Sequence, residues 1–210
     1  MCTPLKIVCE GGIGEVTEKK SRFIASVFPI RSEEEALELI AQVRKKHYDA
    51  RHNCFAYVLG EKNETERCSD DGEPSGTAGR PMLDVLTGQG LHDVLVVVTR
   101  YFGGTLLGTG GLVRAYSAAV KTGLENCVLQ EKSRGYRVSV RTDYNGLGKI
   151  QYIAAGMDIA EETSEYGENV ELVYIVPEEK VTGFEREITE KTGGRSRIDR
   201  GEKTWIYLNI

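Results

Sequence analysis

Apolar and polar positions along the first part of the chain predict strands followed by a helix. Residues 15–30 become alternately apolar in their second half, which is typical of strand structure. Ser32 and Glu35 then form a capping-box pattern, and Leu37, Ile40 and Val43 recur at helical spacing. We therefore predict an amphipathic helix directly after the first strands.

The next apolar runs predict two more strands and two more helices. Residues 54–59 indicate a strand, and the polar residues 61–67 indicate a turn. Residues 94–99 are almost all β-branched, which predicts a buried central strand. Helices are predicted at residues 81–86 and, rich in small side chains, at residues 112–124.

Near residue 131 the pattern restarts and predicts the order β-α-β-β-α-β in about eighty residues, which is the ferredoxin-like plan. Its elements are a strand at 136–140, a helix capped by Asp143, a hairpin at 159–166 and 170–176, a helix from Pro177 to Gly193, and a strand at 204–210. We predict an α+β protein of two domains, residues 1–130 and 131–210, joined by the charged link 131–134.

Composition limits the class of protein. The chain has 210 residues, of which 40% are hydrophobic and 28% charged, as in soluble globular proteins. No membrane span or signal peptide is recognised. The five cysteines are odd in number and lack C-x-x-C spacing, which argues against a disulfide framework or zinc site and for the cytoplasm. The net charge of −5 does not favour nucleic-acid binding as a bulk property.

Residues 69–83 form a polar stretch with three carboxylates, three glycines and two prolines, which predicts a rigid loop. Clustered carboxylates suit a divalent cation or acid–base chemistry. Alternatively, Asp71 and Ser75 cap turns and the loop packs rigidly or contacts a partner. The candidate residues of this stretch are Asp70, Asp71, Glu73, Ser75 and Thr77.

A second glycine-rich stretch, residues 99–114, predicts the end of a strand, a loop and a helix start. Free amides at that helix start could hold an anion, which Arg100 and Arg114 could neutralise. The stretch matches neither the Walker A pattern nor the Rossmann fingerprint. Alternatively, its glycines permit close backbone packing. The candidate residues are Arg100, Tyr101, Phe102, Gly103, Gly104 and Arg114.

His52 and Cys54 lie two residues apart, which places both on one face of a strand. A buried structural cysteine is favoured over a Cys–His nucleophile pair, and His52 remains a candidate binding residue. Basic groups gather near residues 19–22, 44–46 and 195–203, without clear interleaving of Tyr or Trp. Solvated helix ends and strand edges are the favoured explanation for them, although a ferredoxin-like sheet is a common RNA-facing scaffold.

Residues 19–24, 52–54, 70–79 and 99–116 together resemble the YigZ/IMPACT family, and the match runs in order across residues 17–127. The C-terminal part is similar to the extra domain of bacterial members, which resembles the last domain of elongation factor G. The resemblance implies an N-terminal fold like the second domain of ribosomal protein S5, with helices on one side of the sheet. The chain departs from the family pattern at Thr109, where many relatives have alanine.

The resemblance also implies a field of action. Eukaryotic relatives regulate translation initiation under amino-acid stress, a role that does not carry over directly, and the family supplies no catalytic residues. We predict a cytoplasmic binding or regulatory protein whose partner is RNA, the ribosome or a translation-related protein, with no cofactor, metal or membrane. The alternative is an enzyme that acts on a phosphorylated or nucleotide-like small molecule.

Overall fold

The structure, a computed structural model, describes residues 5–209 and divides them into two compact units. The first unit is Leu5–Glu131 and the second is Lys132–Leu208, and both mix helices with strands, as predicted. Compactness alone does not show that a unit folds independently. The domain bounds 1–130 and 131–210 therefore stay predictions.

The first unit is built around a five-stranded sheet. Its elements are β1 Leu5–Glu10, β2 Ile13–Glu18, β3 Ser21–Pro29, α1 Glu33–Lys46, β4 His52–Leu59, β5 Thr65–Ser69, α2 Gly79–Gly88, β6 Leu91–His92, β7 Val94–Tyr101, α3 Thr109–Glu125 and the start of β8, Val128–Thr142. The sheet has the order β2-β3-β7-β4-β5, with antiparallel neighbours, while β1 pairs in parallel with β6. The prediction of a buried central strand is confirmed by β7.

Helices cover both faces of this sheet, so the expectation of helices on one side is wrong. Val96 of β7 and Ala56 of β4 face α2 and α3, whereas Leu95 and Tyr57 face α1. Because side chains alternate along a strand, these two pairs lie on opposite faces. The sheet is thus the middle of three layers.

The strand prediction at residues 15–30 corresponds to a hairpin of β2 and β3. Lys19 and Lys20 form its turn with φ of 46° and 68°, the left-handed values of a type I′ turn. The sequence did not reveal this turn because lysine is not a usual residue there. Strand β5 occupies part of the predicted turn at 61–67, as a polar edge strand paired with β4.

The predicted helix caps are confirmed. Ser32 Oγ accepts a hydrogen bond of 3.2 Å from Glu35 N, and the Glu35 carboxylate accepts one of 2.7 Å from Arg31 N. Asp143 Oδ1 accepts one of 2.8 Å from Gly146 N at the start of α4. The bonds from Glu35 N and Gly146 N satisfy backbone donors that the first helical turn leaves unpaired.

The second unit shows the predicted β-α-β-β-α-β order and fits the ferredoxin-like plan. After the rest of β8 come α4 Tyr144–Gly156, β9 Ala160–Tyr166, β10 Val170–Pro177, α5 Glu178–Thr192 and β11 Arg197–Asn209. Strand β8 pairs with β10 and β11, and β10 pairs with β9. The core lies between this sheet and the two helices, around Ile150, Tyr174 and Phe184.

The charged residues 131–134, predicted as the link, are part of the continuous strand β8, and the division between the two units falls at Glu131 and Lys132. Among the helices of residues 5–209, none is long and apolar enough to cross a membrane. Cysteines 9, 54, 68 and 127 are free thiols. Cys2 lies outside the described residues, as does the sequence around it, in which no signal peptide is recognised. The last residue of the predicted closing strand also lies outside them.

Candidate functional site

The acidic loop, residues 70–78, and the end of β7 meet at a buried ion pair. Arg100 Nη1 lies 2.6 Å from Glu73 Oε1, and the two side chains are 7% and 3% exposed. Tyr116 of α3 donates its hydroxyl to the same carboxylate oxygen at 2.8 Å. Loop, central strand and helix are thus joined at Glu73.

Asp70 organises the acidic loop. Its Oδ1 accepts hydrogen bonds from Ala78 N and Gly79 N at 2.9 and 2.8 Å, and its Oδ2 accepts one from Gly76 N at 2.8 Å. Burial opposes ionisation of Asp70, but these three donors outweigh it, so the pKa of Asp70 lies below its usual value. The carboxylate therefore supports the loop and the start of α2.

Asp71 ties the loop to the neighbouring elements. Its Oδ1 accepts a hydrogen bond of 2.7 Å from Arg44 Nη2, and its Oδ2 accepts one of 2.8 Å from Asn53 N. His52 Nδ1 donates to the carbonyl oxygen of Asp71 at 2.9 Å. The residue has a left-handed φ of 41°, which a network of this kind stabilises.

The two hydroxyl residues of the loop differ in position. Thr77 is buried and donates to the Pro74 carbonyl at 2.6 Å, whereas Ser75 is exposed. Capping within the loop was assigned to Asp71 and Ser75, but the carboxylate that accepts the loop amides belongs to Asp70. The carboxylates of this loop mainly hold structure together.

Cys54 is not an activated nucleophile. Its Sγ lies 3.0 Å from Asp70 O and 3.3 Å from Tyr116 Oη, inside the core. Burial raises the pKa of Cys54 to about 12, so the thiol stays protonated near neutral pH. Burial also raises the pKa of Tyr116. Sequence reasoning did not single out Tyr116, because its spacing on α3 indicates only a core position.

A cavity of about 420 Å³ opens beside the ion pair, and we call it the Arg100 cavity. It brings together four of the predicted site residues, His52, Glu73, Arg100 and Phe102, and adds Arg51 and the start of α3 at Gly108 and Thr109. Phe102 is 51% exposed and its ring centre lies 5.6 Å from Arg100 Cζ. Arg51 was not predicted, although it directly precedes His52.

The remaining predicted residues lie elsewhere. Tyr101 faces α1, where its hydroxyl lies 2.9 Å from His47 Nδ1 and donates to Asp49 Oδ1 at 3.0 Å. Arg114 is exposed and lines a separate cavity with Glu18 and Lys19. The structure therefore does not bring Arg114 into the Arg100 cavity.

Residues 102–108 form the glycine loop. The two glycines predicted for the site, Gly103 and Gly104, have different roles in it. A Cβ on Gly103 would lie 2.0 Å from the backbone carbon of Lys20, so glycine is required for this close approach. Gly104 has a left-handed φ of 85° and open space around it. Gly103 thus agrees with the packing explanation of the glycines.

At the Arg100 cavity one buried donor lacks a partner and one helix start lacks a side-chain cap. Arg100 Nε is buried and has no hydrogen-bond partner within the described residues. Gly108, the N-cap of α3, supplies no side-chain cap for the helix amides. Within residues 5–209, no group of three or more His, Cys, Asp or Glu side chains is placed to hold a metal ion.

In the second unit, basic and aromatic side chains do interleave, contrary to the sequence interpretation. Lys132 Nζ and Arg134 Cζ lie 4.3 and 3.8 Å from the ring centre of Trp205. Arg200 lies over Tyr136 at 5.2 Å and pairs with Glu185. The sequence could not show this because β8 and β11 are distant in the chain.

Two protein-family models match this chain, one within each of the two units. The Impact N-terminal domain matches residues 19–124, and a domain of unknown function, DUF1949, matches residues 140–195. The IMPACT family member YvyE of Bacillus subtilis is 43% identical over 199 residues, covering 95% of this chain and 92% of that protein. The family member YigZ of Escherichia coli is 38% identical and covers 86% of this chain and 89% of its own length.

A solved crystal structure described as a hypothetical protein is 34% identical, with a TM-score of 0.59. It covers 96% of this chain, and the match includes 99% of that chain. The predicted family resemblance is confirmed by these matches over nearly the whole sequence. This chain belongs to the IMPACT family, as a member that also carries a DUF1949 domain.

Proposed function

We propose that this protein is a cytoplasmic binding protein that acts in the regulation of translation and binds RNA through the Arg100 cavity. The main support for RNA binding is that Arg51, Arg100 and the half-exposed ring of Phe102 line one cavity. RNA recognition combines cations for phosphates with aromatic faces on which unpaired bases stack. The link to translation comes from family membership.

The hydrogen bonds, burial and pKa of the candidate reactive groups favour binding over catalysis. The carboxylates of Asp70, Asp71 and Glu73 each accept hydrogen bonds from neighbouring groups. Cys54 has a pKa of about 12 and is buried. A group that takes a proton from a substrate needs free access and a suitable pKa.

An enzyme acting on a phosphorylated or nucleotide-like small molecule remains the second candidate. A cavity of about 420 Å³ lies within the usual size range of small-molecule sites. Such a substrate would occupy the same cavity as an RNA nucleotide. Titration with nucleotides and Mg²⁺, followed by assay for product, distinguishes turnover from binding.

The RNA proposal is tested by titrating fluorescently labelled single-stranded RNA and tRNA at two salt concentrations. Phe102→Ala should weaken binding at least fivefold, because it removes a stacking platform. Arg51→Ala should weaken binding and lower its salt dependence by about one phosphate contact.

Arg31→Ala is the matched control for charge. Arg31 is exposed and follows the end of β3, which pairs with the start of β7. Arg100 lies near the other end of β7. This variant should bind as the unchanged protein does. Absence of RNA binding, or equal affinity for all three variants, would overturn the proposal. Sedimentation with ribosomes then tests the ribosome as the partner.

A further inference from the structure

We propose that the Arg100 cavity contains a phosphoryl subsite, formed by Arg100 Nε and the first backbone amides of α3. This inference rests on the proposed function, because it names the chemical group that the same cavity binds. The subsite would take the phosphate of a free nucleotide or of an RNA chain. One buried donor and one helix terminus lie at this cavity.

The buried donor is Arg100 Nε. Arg100 directs Nη1 to Glu73, and its side chain is only 7% exposed, yet Nε has no partner among the described residues. Buried donors are almost always satisfied in folded proteins, so an unpaired one needs an explanation. Arg100 lines the cavity, and the proposed subsite places one ligand oxygen at this donor.

The helix terminus is that of α3, which is 17 residues long. Its N-cap, Gly108, has a φ of 71° and no side chain, and a Cβ placed there would meet no atom within 4 Å. The amides of the first turn carry the positive end of the helix dipole and are suited to anions. Gly108 and Thr109 line the same cavity as Arg100.

The charges around the subsite favour an anion. Because Glu73 balances the charge of Arg100, the positive potential at the subsite comes from the dipole of α3 and from the exposed Arg51. A guanidinium presents several donors in a plane, which suits the oxygens of a phosphate. The net effect at the cavity is attraction for a phosphate rather than for a neutral polar group.

The cavity also has an apolar side, which selects what the phosphate is attached to. Phe102 and Leu106 are 51% and 82% exposed and line this cavity. A flat base can stack on an exposed aromatic ring. The ligand class is therefore a phosphate ester of a nucleoside, as a free nucleotide or within RNA.

The direct test is nuclear magnetic resonance of the full-length protein with inorganic phosphate, adenosine monophosphate and adenosine as probes. Phosphate and the nucleotide should shift the amide signals of residues 109–111 saturably, and adenosine should not. The nucleotide should bind at least fivefold more tightly than phosphate, because it adds stacking on Phe102. Absence of shifts at residues 109–111 would overturn the subsite.

Thr109→Asp is the sharpest variant, and Thr109→Asn is its matched neutral control. Thr109 is exposed at the first position of α3, where a carboxylate favours the helix and repels a phosphate. We expect Thr109→Asp to keep or raise the melting temperature and to weaken nucleotide binding tenfold or more. Thr109→Asn removes the threonine without adding a charge, so it should weaken nucleotide binding much less than Thr109→Asp. Equal binding by Thr109→Asp and Thr109→Asn would contradict the proposal.

RNA oligonucleotides with and without a 5′-phosphate distinguish the two sources of the group and separate the two proposals. If Thr109→Asp abolishes a preference for the 5′-phosphate, the subsite binds a terminal phosphate. If Thr109→Asp weakens the binding of both oligonucleotides equally, the subsite binds a backbone phosphate. RNA binding that Thr109→Asp leaves intact would refute the subsite and keep the proposed function. Nucleotide binding without RNA binding would support the subsite and refute the RNA function.

Discussion

Glu73 and Arg100 are 27 positions apart in the sequence, and their side chains meet in a buried ion pair of 2.6 Å. Glu73 comes from the acidic loop and Arg100 from the end of the central strand. The Arg100 Cζ atom also lies 5.4 Å from the ring centre of Phe23, so an aromatic ring covers one side of the guanidinium. It connects the core of the first unit with the wall of the Arg100 cavity.

Breaking this ion pair should strongly destabilise the first unit. Removing one partner of a buried pair leaves an uncompensated charge, at a cost of about 3–5 kcal/mol. Glu73→Ala should lose this amount in urea unfolding, and Glu73→Ala with Arg100→Met should lose less than Glu73→Ala alone.

The exposed pair of Arg80 and Asp84 on α2 is the control for that experiment. Its side chains are 68% and 55% exposed, and such pairs contribute at most about 1 kcal/mol. Asp84→Ala should therefore change stability little. A loss on Glu73→Ala no larger than that on Asp84→Ala would show that the pair is not buried as described.

Asp70 should make stability depend on pH in the acid range. Burial acts against its charge, but three backbone donors lower the pKa of Asp70 in the folded state. Its contribution is therefore complete above the ordinary aspartate pKa of about 3.9 and is lost as the pH falls through the lower folded value. Asp70→Asn should cost about 1–2 kcal/mol at pH 7, and less at pH 3. Urea unfolding at both pH values measures this, and a difference independent of pH would contradict it.

Cys54 should resist alkylation in the folded protein. With a pKa of about 12, only about one thiol in ten thousand is ionised at pH 8, and the side chain is buried. Iodoacetamide should modify the exposed Cys9 first and Cys54 only after unfolding in urea, as mass spectrometry of the peptides would show. Similar rates at Cys9 and Cys54 in the folded state would revive the thiol as a nucleophile.

Gly103 and Gly148 should respond oppositely to substitution by alanine. A Cβ at Gly103 would lie 2.0 Å from the backbone of Lys20, so Gly103→Ala must displace the β2–β3 turn and lower the melting temperature. Gly148 lies inside α4 with no atom within 4 Å of its Cβ position, so Gly148→Ala should stabilise by up to about 1 kcal/mol. Thermal unfolding of both variants tests the packing role, and an unchanged melting temperature for Gly103→Ala would exclude it.

Local signals in the sequence were sufficient for most of the elements. Ser32 and Asp143 cap helices as predicted, and β7 is the predicted central strand. These features depend on residues that are close in sequence. The turn at Lys19 and Lys20 and the polar edge strand β5 were not predicted, because pairing with neighbouring strands forms them.

For the site, the sequence by itself determined the two loops and the family. Glycines, prolines and carboxylates act on the backbone nearby, and the motifs are contiguous. Only the tertiary structure decided which side chains meet. Alternation along β7 sends Arg100 towards α2 and α3 and Tyr101 towards α1, while Arg114 lies at a separate cavity. Contacts between distant segments depend on strand register and helix orientation, which no local pattern in this sequence specifies.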